Sequence, residues 1–162
     1  MKANWIASFI GMTAFAACAL TTPALAVANP QPVELIGDVK VEKVVVENGK
    51  ETRSWIKPQV VVPGDRLTFS TQYRNTSTDK VDNFVVTNPI PAGVMLAPDG
   101  AATFDVSVDG GKTWGKLGAL QVADGKGGQR AALHSDVTHV RWTLPVLNPG
   151  TTGTLTYNAI VR

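Results

Sequence analysis

The chain has 162 residues, 17% of them charged, and its 15 Lys and Arg residues against 13 Asp and Glu residues give a net charge of +2. This length suits a single domain with its own core. The charges are scattered, and since no basic stripe is present to neutralise phosphates, the sequence argues against a nucleic-acid partner.

The first 26 residues are predicted to be a cleaved secretory signal peptide. Lys2 precedes an apolar run over 5–20, and Ala24-Leu25-Ala26 has the small-x-small spacing of a signal peptidase site. The apolar run is shorter than the roughly 20 residues that a membrane-spanning helix needs. A retained membrane anchor is therefore the less favoured alternative, and we expect cleavage after Ala26.

Cleavage there sets the predicted domain organisation: a short leader over 27–32 and a single domain over 33–162. Cys18 is the only cysteine, so the mature chain would contain no disulfide. A lipoprotein acylated at Cys18 is an open alternative, although Phe15 stands where a lipoprotein motif usually has Leu. We expect a periplasmic or secreted product that meets the membrane only during export.

The segment 60–77 predicts a turn that delivers one strongly alternating strand. Apolar and polar side chains alternate along it, which is typical of a half-buried strand, and one parity carries Leu67, Phe69, Thr71 and Tyr73. Pro63, Gly64 and Asp65 form the turn, because proline presets φ, glycine tolerates positive φ and aspartate can bond nearby backbone. The other strands are expected to assemble around this one.

Asn48-Gly49 is the strongest hairpin signal in the chain, since a type I′ turn needs positive φ at both central positions. It is expected to pair 41–47 with 50–56. The valines before it change parity near Lys43, which suggests either a bulge or a strand that crosses between sheets.

Further alternating segments lie over 81–87, 104–108, 139–144 and 155–161, and 123–129 looks like a flexible loop. Pro149 and Gly150 are predicted to turn the chain into its last strand. Short strands with Gly and Pro turns at roughly ten-residue intervals predict an all-β fold. We expect an Ig-like sandwich of two antiparallel sheets.

Three segments, VVPGDRLTFSTQYRNTS, NPIPAGV and VRWTLPVLNPGTTGTLTYNAIV, together resemble the bacterial and archaeal Ig-like repeat domain called domain of unknown function eleven. The chain departs from it in having one copy and in carrying Asn88, Pro89 and Ile90 where an acidic residue usually precedes Leu-Pro. The resemblance implies an extracytoplasmic, non-catalytic module with no assigned ligand. The matching turn and core positions are Pro63, Gly64, Asp65, Asn75, Pro91, Gly93, Trp142, Pro149 and Gly150.

An Asp-box pattern, Ser-x-Asp-x-Gly-x-Thr-Trp, is present once, as Ser107, Asp109, Gly111, Thr113 and Trp114. Such boxes are familiar from carbohydrate-active propellers, but a propeller needs several copies. We interpret this one as a structural turn in which Ser107 and Asp109 bond backbone groups.

The sequence predicts neither a metal site nor a cofactor. His134 and His139 are the only histidines, and an odd separation would place them on opposite faces of one strand. The aspartates lack calcium-loop spacing. An isopeptide bond from Lys40 or Lys43 to Asn158 is a disfavoured alternative, because alternation leaves Asn158 facing outward.

Trp55 and Trp114 are the candidate ligand-binding residues. Each lies near a hairpin end, where an aromatic ring can stack on a sugar or anchor a partner; the favoured interpretation is that both cap the core. The leading hypothesis is an exported, non-enzymatic module that interacts with another envelope or surface protein. The alternative is a carbohydrate-binding accessory module that uses these tryptophans on a glycan.

Overall fold

A computed structural model describes residues 31–99 and 103–162, and the predicted signal peptide, its cleavage site and most of the leader lie outside these ranges. The described part contains ten strands and two single-turn 3-10 helices, Leu117–Ala119 and His134–Asp136. Every strand pairing is antiparallel. The strands are β1 (Val33–Glu47), β2 (Lys50–Ile56), β3 (Arg66–Asn75), β4 (Val81–Pro89), β5 (Val94–Leu96), β6 (Asp105–Ser107), β7 (Gln121–Ala123), β8 (Gln129–Ala131), β9 (His139–Leu147) and β10 (Thr152–Val161).

The strands form a five-stranded sheet in the order β2-β1-β3-β10-β5, a three-stranded sheet in the order β4-β9-β6, and the hairpin β7-β8. The prediction of an all-β fold with antiparallel sheets is confirmed, and the arrangement is consistent with a β-sandwich. The described residues include no helix long and apolar enough to cross a membrane.

The two larger sheets bury a common core. Alternate positions of β1, β3 and β10 meet alternate positions of β4, β6 and β9, as period-two patterning requires. Aromatic rings fill its centre: Trp142 packs edge-on to Phe104 with ring centroids 5.2 Å apart, and Phe69 stacks on Tyr157 at 4.9 Å. Burial raises the pKa of Tyr157 to about 12. The buried residues of the cluster include Val41, Leu67, Val86, Leu96, Val106, Val140 and Ala159.

Strand β3 is the middle strand of its sheet, as the sequence predicts. Its turn is held by Asp65, whose N–H donates to the carbonyl of Val62 at 3.0 Å and whose carboxylate accepts the N–H of Val62 at 3.0 Å. Gly64 adopts a φ of 94°, a conformation that favours glycine. The turn also pairs with the end of β10 through Val161.

The β1–β2 hairpin has the predicted register, from Val41 opposite Ile56 to Glu47 opposite Lys50. Asn48 and Gly49 both have positive φ, 52° and 76°, as a type I′ turn requires. The bulge or sheet crossing predicted near Lys43 is wrong. Strand β1 runs without a skipped residue and simply extends beyond β3, so its last valines leave the core.

Two other local predictions concern the loop over 123–129 and the turn before β10. The predicted loop over 123–129 is shorter than expected, because Ala123 and Gln129 pair as the ends of β7 and β8. Asp124 closes the turn between them by accepting the N–H of Gly128 at 2.9 Å. The turn before β10 is present, with the N–H of Thr151 donating to the carbonyl of Asn148 at 3.0 Å.

Candidate functional site

The Asp-box residues build a tight turn between β6 and Gly115, which bridges Val106. The hydroxyl of Ser107 donates to the carboxylate of Asp109 at 2.7 Å and accepts the N–H of Gly111 at 2.8 Å. Asp109 also accepts the N–H of Thr113 at 2.9 Å and its hydroxyl at 2.7 Å. These polar groups are therefore engaged in shaping the backbone.

The same hydrogen bonds stabilise the ionised form of Asp109. The N–H and hydroxyl of Thr113, followed by the hydroxyl of Ser107, hold the pKa of this carboxyl far below its ordinary value. Its contribution to stability is complete above the unfolded-state pKa of about 3.9 and is lost as the pH falls toward the folded-state value.

We therefore expect Asp109→Asn to lower the melting temperature at pH 7 and to lower it less at about pH 3. Thermal unfolding at the two pH values checks this expectation, with Asp38→Asn, an exposed carboxylate on β1, as the matched control. An equal loss at both pH values would show that the charge of Asp109 does not matter.

Trp114 follows the turn and lies on the outer side of the three-stranded sheet. Its indole N–H donates to the carbonyl of Gly111 at 3.0 Å, and the guanidinium carbon of Arg141 lies 4.4 Å from the ring centre. His139 approaches the ring edge-on, with centroids 6.3 Å apart. His139 and Arg141 alternate with buried residues of β9, so Trp114 packs outside the core and one of its faces is covered. The expectation that Trp114 caps the core is therefore wrong.

Trp55 lies on the outer face of the five-stranded sheet and is 42% exposed. The expectation that it caps the core is wrong, because it stands opposite Glu42, and Glu42 alternates with the buried Val41. The ring borders an open groove of about 390 Å³ whose other walls carry hydroxyl, amide and charged groups. They are Asp38, Lys40, Thr68, Ser70, Gln72, Thr154 and Thr156.

The two candidate tryptophans therefore occupy the outer faces of different sheets. A ligand that stacks on Trp55 meets the polar rows of β1, β3 and β10, whereas one near Trp114 meets Arg141 and His139. Of the two rings, Trp55 offers the freer stacking surface.

A polar network continues along the outer face beside the Trp55 groove. Glu42 accepts a hydrogen bond from Arg53 at 3.2 Å and lies 3.7 Å from Arg66. Arg66 also pairs with Asp99, which accepts the side-chain N–H of Asn158 at 3.1 Å. Strands β2, β1 and β3 are thus linked by charged side chains, and Asp99 connects them to the amide of Asn158 on β10.

The isopeptide alternative does not fit this geometry. Asn158 and Lys40 lie in the same cross-strand row but on either side of Thr68, so their backbones are about 10 Å apart. The side-chain oxygen of Asn158 accepts the hydroxyl of Thr68 at 2.8 Å. The amide is therefore held by hydrogen bonds on β10.

The histidines do not share a strand, contrary to the premise of the sequence argument. His134 begins a 3-10 helix, and His139 is the first residue of β9, with Nδ1 3.1 Å from the hydroxyl of Thr138. Over 31–99 and 103–162, no group of three or more His, Cys, Asp or Glu side chains is placed to hold a metal ion.

The feature that sequence reasoning missed is the exposed end of the β1–β2 hairpin. All seven residues of β2 are exposed, and this strand is the outermost of its sheet. Val44, Val45 and Val46 on the neighbouring strand are also exposed, Val46 by 63%. The run of valines was the available signal, but alternation alone predicts that half of them are buried.

Comparison of the chain with protein-family models, with curated proteins and with solved structures finds no match in any of the three. The resemblance to domain of unknown function eleven therefore stays a prediction from the residues.

Proposed function

We propose that the chain is an exported Ig-like β-sandwich that serves as a non-catalytic structural or protein-interaction module of the cell envelope. The observation that carries the proposal is the free, fully exposed edge strand β2 with uncovered valines beside it. Natural sheets usually protect such edges with charge, proline or a covering segment. Strand β2 carries Lys50, Glu51 and Arg53, but it has no proline and, in the described part of the chain, no strand beyond it, so its backbone edge can receive a strand from a partner by β-augmentation.

Polar side chains in the turns support a scaffold role. Asp109 and Asp124 each bond the backbone of their own turn, and Asp136 forms a two-pronged pair with Arg130 at 2.6 and 2.9 Å. These groups stabilise turns and loop ends. The function of such a scaffold would depend on its binding surfaces, because the fold alone does not determine function.

Site-specific photo-crosslinking in the producing cells tests the interaction role. A crosslinker at Thr52 on β2 is expected to form adducts with a partner chain in the cell envelope. Probes at Thr143, on the outer face of β9, and at Lys126, in the β7–β8 turn, are expected to form few; both positions are exposed. Equal adduct yields at the three positions, or none at Thr52, would remove the support for an edge-binding module.

The proposed export is tested through cleavage of the signal peptide and the location of the product. The mature product is expected to begin at Val27 and to be found outside the cytoplasm, as measured by intact mass after cell fractionation. Ala26→Lys is expected to block processing, because signal peptidase requires a small residue at that position, whereas Val27→Thr should be processed normally. Unprocessed chain in the cytoplasm for the unchanged sequence would contradict the proposal of export.

A carbohydrate-binding accessory module is the second candidate, and the Trp55 groove favours it. Sugar rings stack on exposed aromatic faces while hydroxyl and amide groups bond their hydroxyls, and the groove presents Ser70, Thr68, Thr156 and Gln72 beside the indole. The open groove crosses β1, β3 and β10 and therefore suits an extended glycan that runs across the strands.

On a glycan array, Trp55→Ala is expected to abolish binding, whereas Trp114→Ala is expected to retain it, because the Trp114 ring is already covered by Arg141. Binding constants measured by calorimetry on any hit complete the comparison. Equal losses in both variants would indicate an unfolding effect, and an array without hits would count against this candidate.

A further inference from the structure

The geometry of the β1–β2 hairpin determines which backbone groups of β2 point away from β1. The pair that flanks the two-residue turn, Glu47 and Lys50, exchanges both backbone hydrogen bonds, and such pairs alternate with non-bonded pairs along an antiparallel ladder. The N–H and C=O groups of Glu51, Arg53 and Trp55 therefore point away from β1. A partner strand has to face these three residues.

Among the described residues, the turn end of the β1–β2 hairpin also lacks neighbouring strands. The last pair between β1 and β3 is Val41 with Leu67, so beyond Val41 the five-stranded sheet is reduced to the two strands β1 and β2. A two-stranded ribbon is marginal in water, whereas additional strands with an apolar face stabilise it. Val44 and Val46 are exposed on one face of this ribbon. Additional strands would enlarge that apolar face.

We propose that two copies of the chain pair through β2, antiparallel about a twofold axis at Thr52, so that Glu51 of each copy faces Arg53 of the other. The two hairpins would then form a continuous four-stranded sheet. The partner is thus a second copy of this chain, joined by an isologous interface.

Charge complementarity selects this register. Outward backbone groups must face one another, so allowed registers place Glu51 and Arg53 opposite odd-numbered residues of the other copy. A register centred on Glu51 opposes two glutamates, and one centred on Arg53 opposes two arginines; both are unfavourable. A register centred on Ser54 places Arg53 opposite Trp55 and leaves Glu51 beyond the end of the partner strand. The Thr52-centred register forms two Glu–Arg pairs.

The side chains are available for these pairs. The guanidinium of Arg53 is bonded to Glu42 of its own chain at 3.2 Å, yet the side chain is 65% exposed, and a guanidinium has five N–H donors. Glu51 is exposed and makes no ion pair within the described ranges.

Sedimentation equilibrium of the protein purified after expression of the full sequence tests the pairing. We expect a dimer whose dissociation constant rises at least tenfold in Glu51→Arg and in Arg53→Glu. The double variant E51R/R53E should dimerise again, and an equimolar mixture of the two single variants should form heterodimers. The control Lys126→Glu changes the charge by the same amount in the β7–β8 turn and should not affect the dissociation constant.

Disulfide trapping tests the register. In a Cys18→Ser background, oxidised Thr52→Cys is expected to form a covalent dimer, whereas Ser54→Cys is not. A monomer at all concentrations, charge variants that leave the dimer intact, or trapping at position 54 but not 52 would overturn the proposal. A monomer that still crosslinks to another envelope protein through Thr52 would overturn the pairing alone and leave the proposed interaction role standing.

Discussion

Trp142→Ala is expected to lower the free energy of unfolding by about 4 kcal/mol, the usual range for removing a large aromatic side chain from a core. Trp142 is only 7% exposed and contacts Phe104 of the segment before β6 and Tyr157 of β10, with ring centroids at 5.2 and 6.3 Å. It thus links both sheets, and its loss leaves a cavity between them. Urea unfolding, followed by tryptophan fluorescence and circular dichroism, measures the change.

Trp55→Ala is the matched control, because it makes the same chemical change at an exposed position. Trp55→Ala should lower the free energy of unfolding by less than about 1 kcal/mol. Equal losses in the two variants would contradict a core centred between the sheets and would indicate that Trp55 is packed more tightly than its exposure shows.

Asn75→Ala is expected to destabilise the fold by about 3 kcal/mol, because it leaves several buried polar groups without partners. Asn75 is 1% exposed. Its side-chain amide donates to the carbonyls of Asp79 and Leu147 at 2.8 and 2.9 Å, and its oxygen accepts from Ser77. The residue therefore joins the end of β3, the turn after it and the end of β9.

The variant Asn75→Asp separates hydrogen bonding from side-chain size. A carboxylate at this position would face two carbonyl oxygens, so the loss should be larger than for alanine at pH 7 and smaller at low pH, where the protonated acid can donate. Asn148→Ala, at an exposed turn position, should change the unfolding free energy by less than about 0.5 kcal/mol. A pH-independent effect of Asn75→Asp would contradict the donor role.

Features that depend on neighbours in sequence were predictable. The Asn48-Gly49 turn fixes its own backbone and so sets the register of β1 and β2. The hydrogen bonds of Ser107 and Asp109 span only a few residues, and the alternation along β3 identifies its buried face directly. In each case the physical cause lies within about ten residues of the chain.

Features that depend on where strands end were not predictable. Val45, which shares the parity of the buried Val41, is exposed because β1 extends beyond β3, which no local pattern encodes. The buried bond of Asn75 reaches Leu147, 72 positions along the chain, so the sequence predicted a turn residue but not its link between strands.

Arg53→Pro tests most directly the claim that this protein acts through the free edge of β2. Proline removes the N–H that points away from β1 and leaves the β1 pairing intact, since edge strands tolerate proline on their solvent side. The measurement is the yield of adducts from a crosslinker at Thr52 in producing cells, with thermal unfolding to verify the fold. We predict that adducts disappear while the melting temperature changes by only a few degrees; adducts that persist at the original yield would contradict the account.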